Sequence, residues 1–159
     1  LISVALGLFI TYMRFFSLLL IGALFTSVIA GWETDFEKAK QRAITEQRFI
    51  LLNFSGSDWC GPCISLRREI FESAAFKEFA DNNLVLLNAD FPRLKKNQLA
   101  KDQQRKNDLL ADKYNLQGHF PYTVLLNADG KVISSWDGLP KDTPDEFIAQ
   151  LKALINAHN

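Results

Sequence analysis

Both cysteines of this 159-residue chain fall in Trp59-Cys60-Gly61-Pro62-Cys63, directly behind the apolar run Phe49-Ile50-Leu51-Leu52-Asn53-Phe54. An apolar run of that length predicts a strand buried on both faces. Ser55-Gly56-Ser57-Asp58 supplies turn formers and a candidate N-cap, and Pro62 stands where the first turn of a helix tolerates a missing N–H. The pattern therefore predicts strand, turn and helix in succession, with Cys60 at the helix start. Unpaired N–H groups and the positive end of the helix dipole favour thiolate over thiol there, lowering a cysteine pKa from about 8.5 into the range of roughly 3.5 to 7.5. Cys63, one turn on, is placed to resolve a mixed disulfide made by Cys60. Half a zinc site is one alternative, but zinc wants four ligands and the other soft candidates are His119 and His158, so no metal is expected. A purely structural disulfide is another; so small a ring would restrict the unfolded chain very little. Redox exchange is the reading that the pair favours.

Residues 1–30 carry a single charge, Arg14, and no acid. Met13-Arg14, the apolar stretch from Phe15 and the small-residue ending Val28-Ile29-Ala30 predict a signal peptide, with the mature chain starting near Gly31 and residues 1–12 read as translation from an upstream start. A membrane anchor is the competing expectation, because the apolar stretch is long enough to span a bilayer of about 30 Å. Without Arg14, 17 of the 18 basic residues meet all 18 acidic ones, a formal charge of −1 for residues 31–159. That near-neutral balance speaks against a nucleic-acid partner, which needs a basic surface. One ordinary domain is expected, in a periplasmic or secreted location where disulfides persist.

Along that domain, Thr34-Asp35-Phe36-Glu37 predicts a capping box with Thr34 as the cap, opening a helix to Glu46 that turns Phe36, Ala39, Ala43 and Ile44 inward. A helix from Cys60 to Ile70 should bury Leu66 and Ile70, and Ser73 should cap a short helix carrying Phe76 and Phe79. Leu84 to Asp90 predicts a second buried strand, parallel to the first because a helical crossover joins them. From Arg93 to Lys106, six basic residues meet one acid, which predicts a solvated loop or helix face, or else a docking surface for an acidic partner. A helix is expected over Asp108–Tyr114, with Leu109, Leu110 and Tyr114 apolar and Gly118 as an end signal. Tyr122–Leu126 and Lys131–Trp136 predict a hairpin around Asn127-Ala128-Asp129-Gly130. Thr143-Pro144-Asp145-Glu146 then launches a last helix with Phe147, Ile148, Leu151, Leu154 and Ile155 on its apolar face.

From about Trp32 to the end, these residues resemble the thioredoxin family in the element order, in Trp-Cys-Gly-Pro-Cys behind the first buried strand, and in Pro121 opening the hairpin strand. The flanks Asp58-Trp59-Cys60 and Glu69-Ile70-Phe71-Glu72-Ser73 look most like exported thioredoxin-like proteins and the thioredoxin-like end domain of membrane electron transporters. The resemblance implies an α/β thioredoxin fold, a central mixed β-sheet flanked by helices, behind the N-terminal signal segment. It also implies an exported thiol–disulfide oxidoreductase that reduces protein disulfides without a cofactor, with oxidase, isomerase or non-catalytic binding module as alternatives. Cys60 would be the nucleophile, Cys63 the resolving thiol and Trp59 an apolar rim, while Gly61 and Pro62 tune the potential. Pro121 would be a cis-proline facing the cysteines, and the backbone of Phe120 would bind an extended substrate. Implied partners are disulfide-bearing proteins and a membrane thiol electron donor, and a monomer is expected. One departure stands out: the family's buried acid on the first strand is here Asn53, which cannot titrate. Asp58, Asp90, Glu69 or water are then the candidates for moving the proton of Cys63, and His119 could assist unless it is simply an exposed loop histidine.

Overall fold

The computed structural model describes residues 31–158, so the expected signal segment or anchor at 1–30 lies outside the described residues. Among the described residues no helix is long and apolar enough to cross a membrane. Four strands make one mixed sheet in the order β2-β1-β3-β4, namely β1 Phe49–Ser55, β2 Leu84–Asp90, β3 Tyr122–Leu126 and β4 Val132–Asp137. β1 and β2 run parallel while β1–β3 and β3–β4 are antiparallel, as the crossover and the hairpin require. The helices are α1 Phe36–Glu46, α2 Gly61–Leu66, α3 Ala74–Asn83, α4 Lys101–Tyr114 and α5 Pro144–Asn156. This is the expected thioredoxin architecture.

Period-two alternation along the strands divides the interior into two clusters. Ile50, Leu52, Phe54, Val85, Leu87, Val124 and Leu126 pack on one face against Ala39, Ala43 and Leu110 of α1 and α4. Phe49, Leu51, Leu84, Leu86 and Leu125 pack on the other against Leu66 and Ile70, Phe76 and Phe79 of α3, and Phe147, Leu151 and Ile155 of α5. Fully burying each of these large side chains contributes about 1.5–3 kcal/mol.

Several local expectations need correction. Asp35, not Thr34, caps α1: its carboxylate accepts from the N–H groups of Glu37 and Lys38 at 3.0 and 3.1 Å. Lys106 bonds the same carboxylate and, with those N–H groups, holds its pKa below the ordinary range. Ile44 is 54 % exposed rather than inward, because the buried stripe of α1 is only as wide as Ala39 and Ala43. The helix after the cysteines starts at Gly61 rather than Cys60 and passes at Arg67 into a π-helical turn that ends at Phe71, one residue beyond the expected Ile70. α4 begins at Lys101, seven residues before Asp108, so much of the basic run is a helix whose solvent side carries its charges; Leu109 is 63 % exposed. It ends at Tyr114 with Asn115 as its cap residue, so Gly118 belongs to the following turn. β4 covers Val132–Asp137, one residue later than expected.

Two features secure the rim of the sheet. At the hairpin tip Gly130 has φ +84°, and a Cβ there would press on Phe36 and on the Tyr114 hydroxyl, which donates to the Gly130 carbonyl at 2.7 Å. At the outer margin of β2, Glu33 forms a parallel bridge: its N–H donates to Leu86 O at 2.8 Å and its carbonyl accepts from Asn88 N–H at 2.9 Å.

Candidate functional site

β1 delivers the chain at Ser55 into a tight turn in which Gly56 O accepts from the N–H groups of Trp59 and Cys60. A Cβ at Gly56 would overlap the Trp59 indole, so this position admits glycine alone without moving the ring. Cys60 then caps α2 in extended conformation, its Sγ accepting from Cys63 N–H at 3.2 Å, and Pro62 occupies the first turn as expected. The two sulfurs are bonded at 2.03 Å, with Cα atoms 5.2 Å apart. Each cysteine is 5 % exposed, whereas Gly61 and Pro62 are exposed.

Asp58, expected as a possible helix cap or proton carrier, does not cap the helix, whose cap is Cys60. Its carboxylate accepts from Arg93 N–H, Leu94 N–H and Asn97 Nδ2 at 2.9–3.0 Å, which pins the basic loop behind β2 to the cysteine turn. Those bonds, Arg93 N–H foremost, lower its pKa from the ordinary value. Arg93 lies over the Trp59 ring at 3.5 Å, and Trp59 Nε1 donates to Phe91 O at 2.7 Å. Trp59 also meets Phe120 edge to face at 5.5 Å, and Phe120 meets Phe91 at 5.4 Å. The expected rim is thus half-buried and locked rather than an open apolar surface. Arg93 was missed as a site residue; its only signal in the sequence is its place in the basic run.

Phe120–Pro121 is cis, as expected, and Pro121 is buried. His119 is engaged by other partners: its Nδ1 lies 2.8 Å from Asp137, and its backbone N–H and carbonyl are bound to Asn115. Glu69 is exposed and paired with Arg68 at 2.6 Å. Beneath them lies a cavity of about 450 Å³ whose wall includes Cys63, Asn53, Ser55, Asn88, Asp90 and Arg67. Among the described residues no cluster of His, Cys, Asp and Glu could hold a metal ion.

Known proteins share this fold. A family model described as a thioredoxin-like domain matches residues 36–155. This chain belongs to that family. "Disulfide bond reductase DsbH" of Chlamydia pneumoniae is 36 % identical over 124 residues, covering 78 % of this chain and 72 % of the relative. A solved "DsbH Oxidoreductase" superposes with a TM-score of 0.72 at 29 % identity, over 84 % of this chain and 90 % of the other. "Thioredoxin-related protein DsbJ" from the same organism is 28 % identical, but the match spans 64 % of this chain and only 28 % of that protein. The thioredoxin-like chain described here is accordingly a thiol–disulfide oxidoreductase with a Cys60–Cys63 disulfide.

Proposed function

We propose that this protein is exported and reduces disulfides in other proteins, with residues 31–159 as the working domain and 1–30 as signal peptide or anchor. In its dithiol form Cys60 attacks a substrate disulfide, and a bond forms between Cys60 and one substrate sulfur while the other leaves as thiolate. Cys63 then attacks Cys60, closing the ring and releasing the second substrate thiol. Two electrons pass to the substrate, and a membrane thiol donor restores the dithiol. The observation that carries this reading is the Cys60–Cys63 disulfide at a helix start, in a chain 36 % identical to a named disulfide bond reductase. Supporting roles follow from position. Trp59 and Phe120 shape the approach to the sulfurs, Gly61 and Pro62 set the helix start, and Phe120 and Pro121 open the strand along which an extended substrate segment would lie. The monomeric domain needs no cofactor for this cycle.

Equilibration with glutathione redox buffers tests the direction of electron flow. A reductase should give a potential near that of thioredoxin, about −270 mV, whereas a value near −120 mV would make the protein an oxidant and overturn the proposal. The Cys63→Ser variant should accumulate covalent mixed disulfides at Cys60, recoverable from the periplasm or the medium.

A further inference from the structure

The sheet face beneath α2 changes character at one level. Register pairs Leu51 with Leu86, then Asn53 with Asn88, then Ser55 with Asp90, and Thr123 lies opposite Asn53 on β3. All of these residues point to the cysteine side, so the apolar packing of Leu51 and Leu86 gives way to a polar ladder directly below Cys63. Thr123 Oγ1 donates to Asn53 Oδ1 at 3.2 Å and Asn53 Nδ2 to Asn88 Oδ1 at 3.1 Å. Asp90 is the only carboxylate in the ladder, and Ser57 holds it through its N–H at 2.9 Å and its hydroxyl at 2.6 Å.

Ser55 has one hydroxyl proton and two acceptors within reach, Asp90 Oδ1 at 3.1 Å and Asn88 Oδ1 at 3.2 Å. The ambiguity has chemical content. With Asp90 ionised, Ser55 donates to it. With Asp90 protonated, the acid donates to Ser55 Oγ, and Ser55 turns its proton to Asn88. Both protonation states are therefore fully hydrogen-bonded without moving the backbone, and the cavity shared with Cys63 has Asn53, Ser55, Asn88 and Asp90 along one wall, Trp32, Ile64 and Phe71 elsewhere, and room for water beside the polar wall.

We propose that Asp90, acting through Ser55 and cavity water, takes the proton of Cys63 during the resolving step, in place of an acid on β1. The proposal rests on the reductase cycle above. The Cys63 S–H bond breaks and its proton passes to the Asp90 carboxylate. The freed electron pair forms the Cys63–Cys60 bond, and the Cys60–substrate bond breaks with its pair leaving on the substrate sulfur. Asp90 then returns the proton to that thiolate or to bulk water. Asp90 is thus a positioning residue for the proton rather than a group touching substrate. The other groups around it are Arg67 across the cavity, paired with Glu72, Asn107 of α4, which donates to the Asp90 carbonyl, and Arg93 and Asp108 beyond the loop.

The test is rapid mixing of reduced protein with a limiting amount of Ellman's reagent, in which Cys60 attack releases the first thionitrobenzoate and Cys63 resolution the second. Asp90→Asn should slow the second phase by about 10²-fold at neutral pH and make it climb steeply with pH, leaving the first phase within about twofold. Asp90→Glu should restore much of the rate. Ser55→Ala, which leaves Asp90 held by Ser57, should also slow the second phase. A second phase untouched in Asp90→Asn or in Ser55→Ala overturns the proposal alone, as does equal slowing of both phases. Wild-type protein that releases only the first equivalent overturns the reductase cycle and this proposal together.

Discussion

Pro62 and Pro144 both open helices, yet the two starts are completed differently. At α5 the cap is made by side chains: Thr143 Oγ1 accepts from Glu146 N–H at 3.3 Å, Glu146 accepts from Thr143 N–H at 2.8 Å, and Asp145 and Glu146 put acid in the first turn. At α2 the cap is the Cys60 sulfur, a weak acceptor, and the first turn carries no acid. A finished cap leaves nothing for chemistry to use. An end finished only by sulfur keeps its donors and its dipole for the negative charge that sulfur acquires when the disulfide opens. Similar backbone devices thus serve stability at one site and reactivity at the other.

Substitutions that exchange these properties would break the comparison. The largest effect is expected from Cys60→Ser, which should reduce insulin-disulfide reduction to background while the melting temperature of the reduced protein holds; retained turnover would remove Cys60 from its role. Next comes Phe147→Ala in the first turn of α5. Phe147 is fully buried against Phe76, Phe71 and Trp136, so denaturant unfolding should show a loss of about 3–5 kcal/mol. Phases of Ellman's reagent release should be unchanged below the unfolding transition. Thr143→Ala should cost about 1 kcal/mol by the same measurement. The smallest effect is one of pH. Bonds from Thr143, its backbone N–H first, lower the Glu146 pKa, so the stability it adds is present above the unfolded-state pKa and is lost as pH falls through the folded-state value. The stability gap between wild type and Glu146→Gln should therefore close on acidification, and a gap that widened would refute the cap.

Much of this was legible because the signals are local. Thr143-Pro144-Asp145-Glu146 specifies its cap within four residues, and Leu84–Asp90 reads as a buried strand from content alone. The cysteine turn is equally self-contained. What escaped the sequence depends on partners distant along the chain. Thr34 and Asp35 are both competent caps, and the choice of Asp35 is joined to Lys106, 71 residues on. Asp58 looks like a helix cap until the loop at 93–97 arrives to claim it. The start of α4 was hidden because Lys101 to Asn107 has few apolar residues, and Asn107 is buried for the sake of the Asp90 carbonyl. Asp90 was nameable as a candidate, but its link to Ser55 and Asn88 appears only once the parallel register of β1 and β2 is known.

The Glu33 bridge bears on how the molecule behaves when crowded. A sheet offers two margins to an invading strand, and here the β2 margin is partly occupied, since Leu86 O and Asn88 N–H already pair with Glu33. Unwanted strand-to-strand association in concentrated solution is thereby directed to the opposite margin, Val132–Asp137, where Lys131 and Asp137 at the ends supply the charges that discourage it.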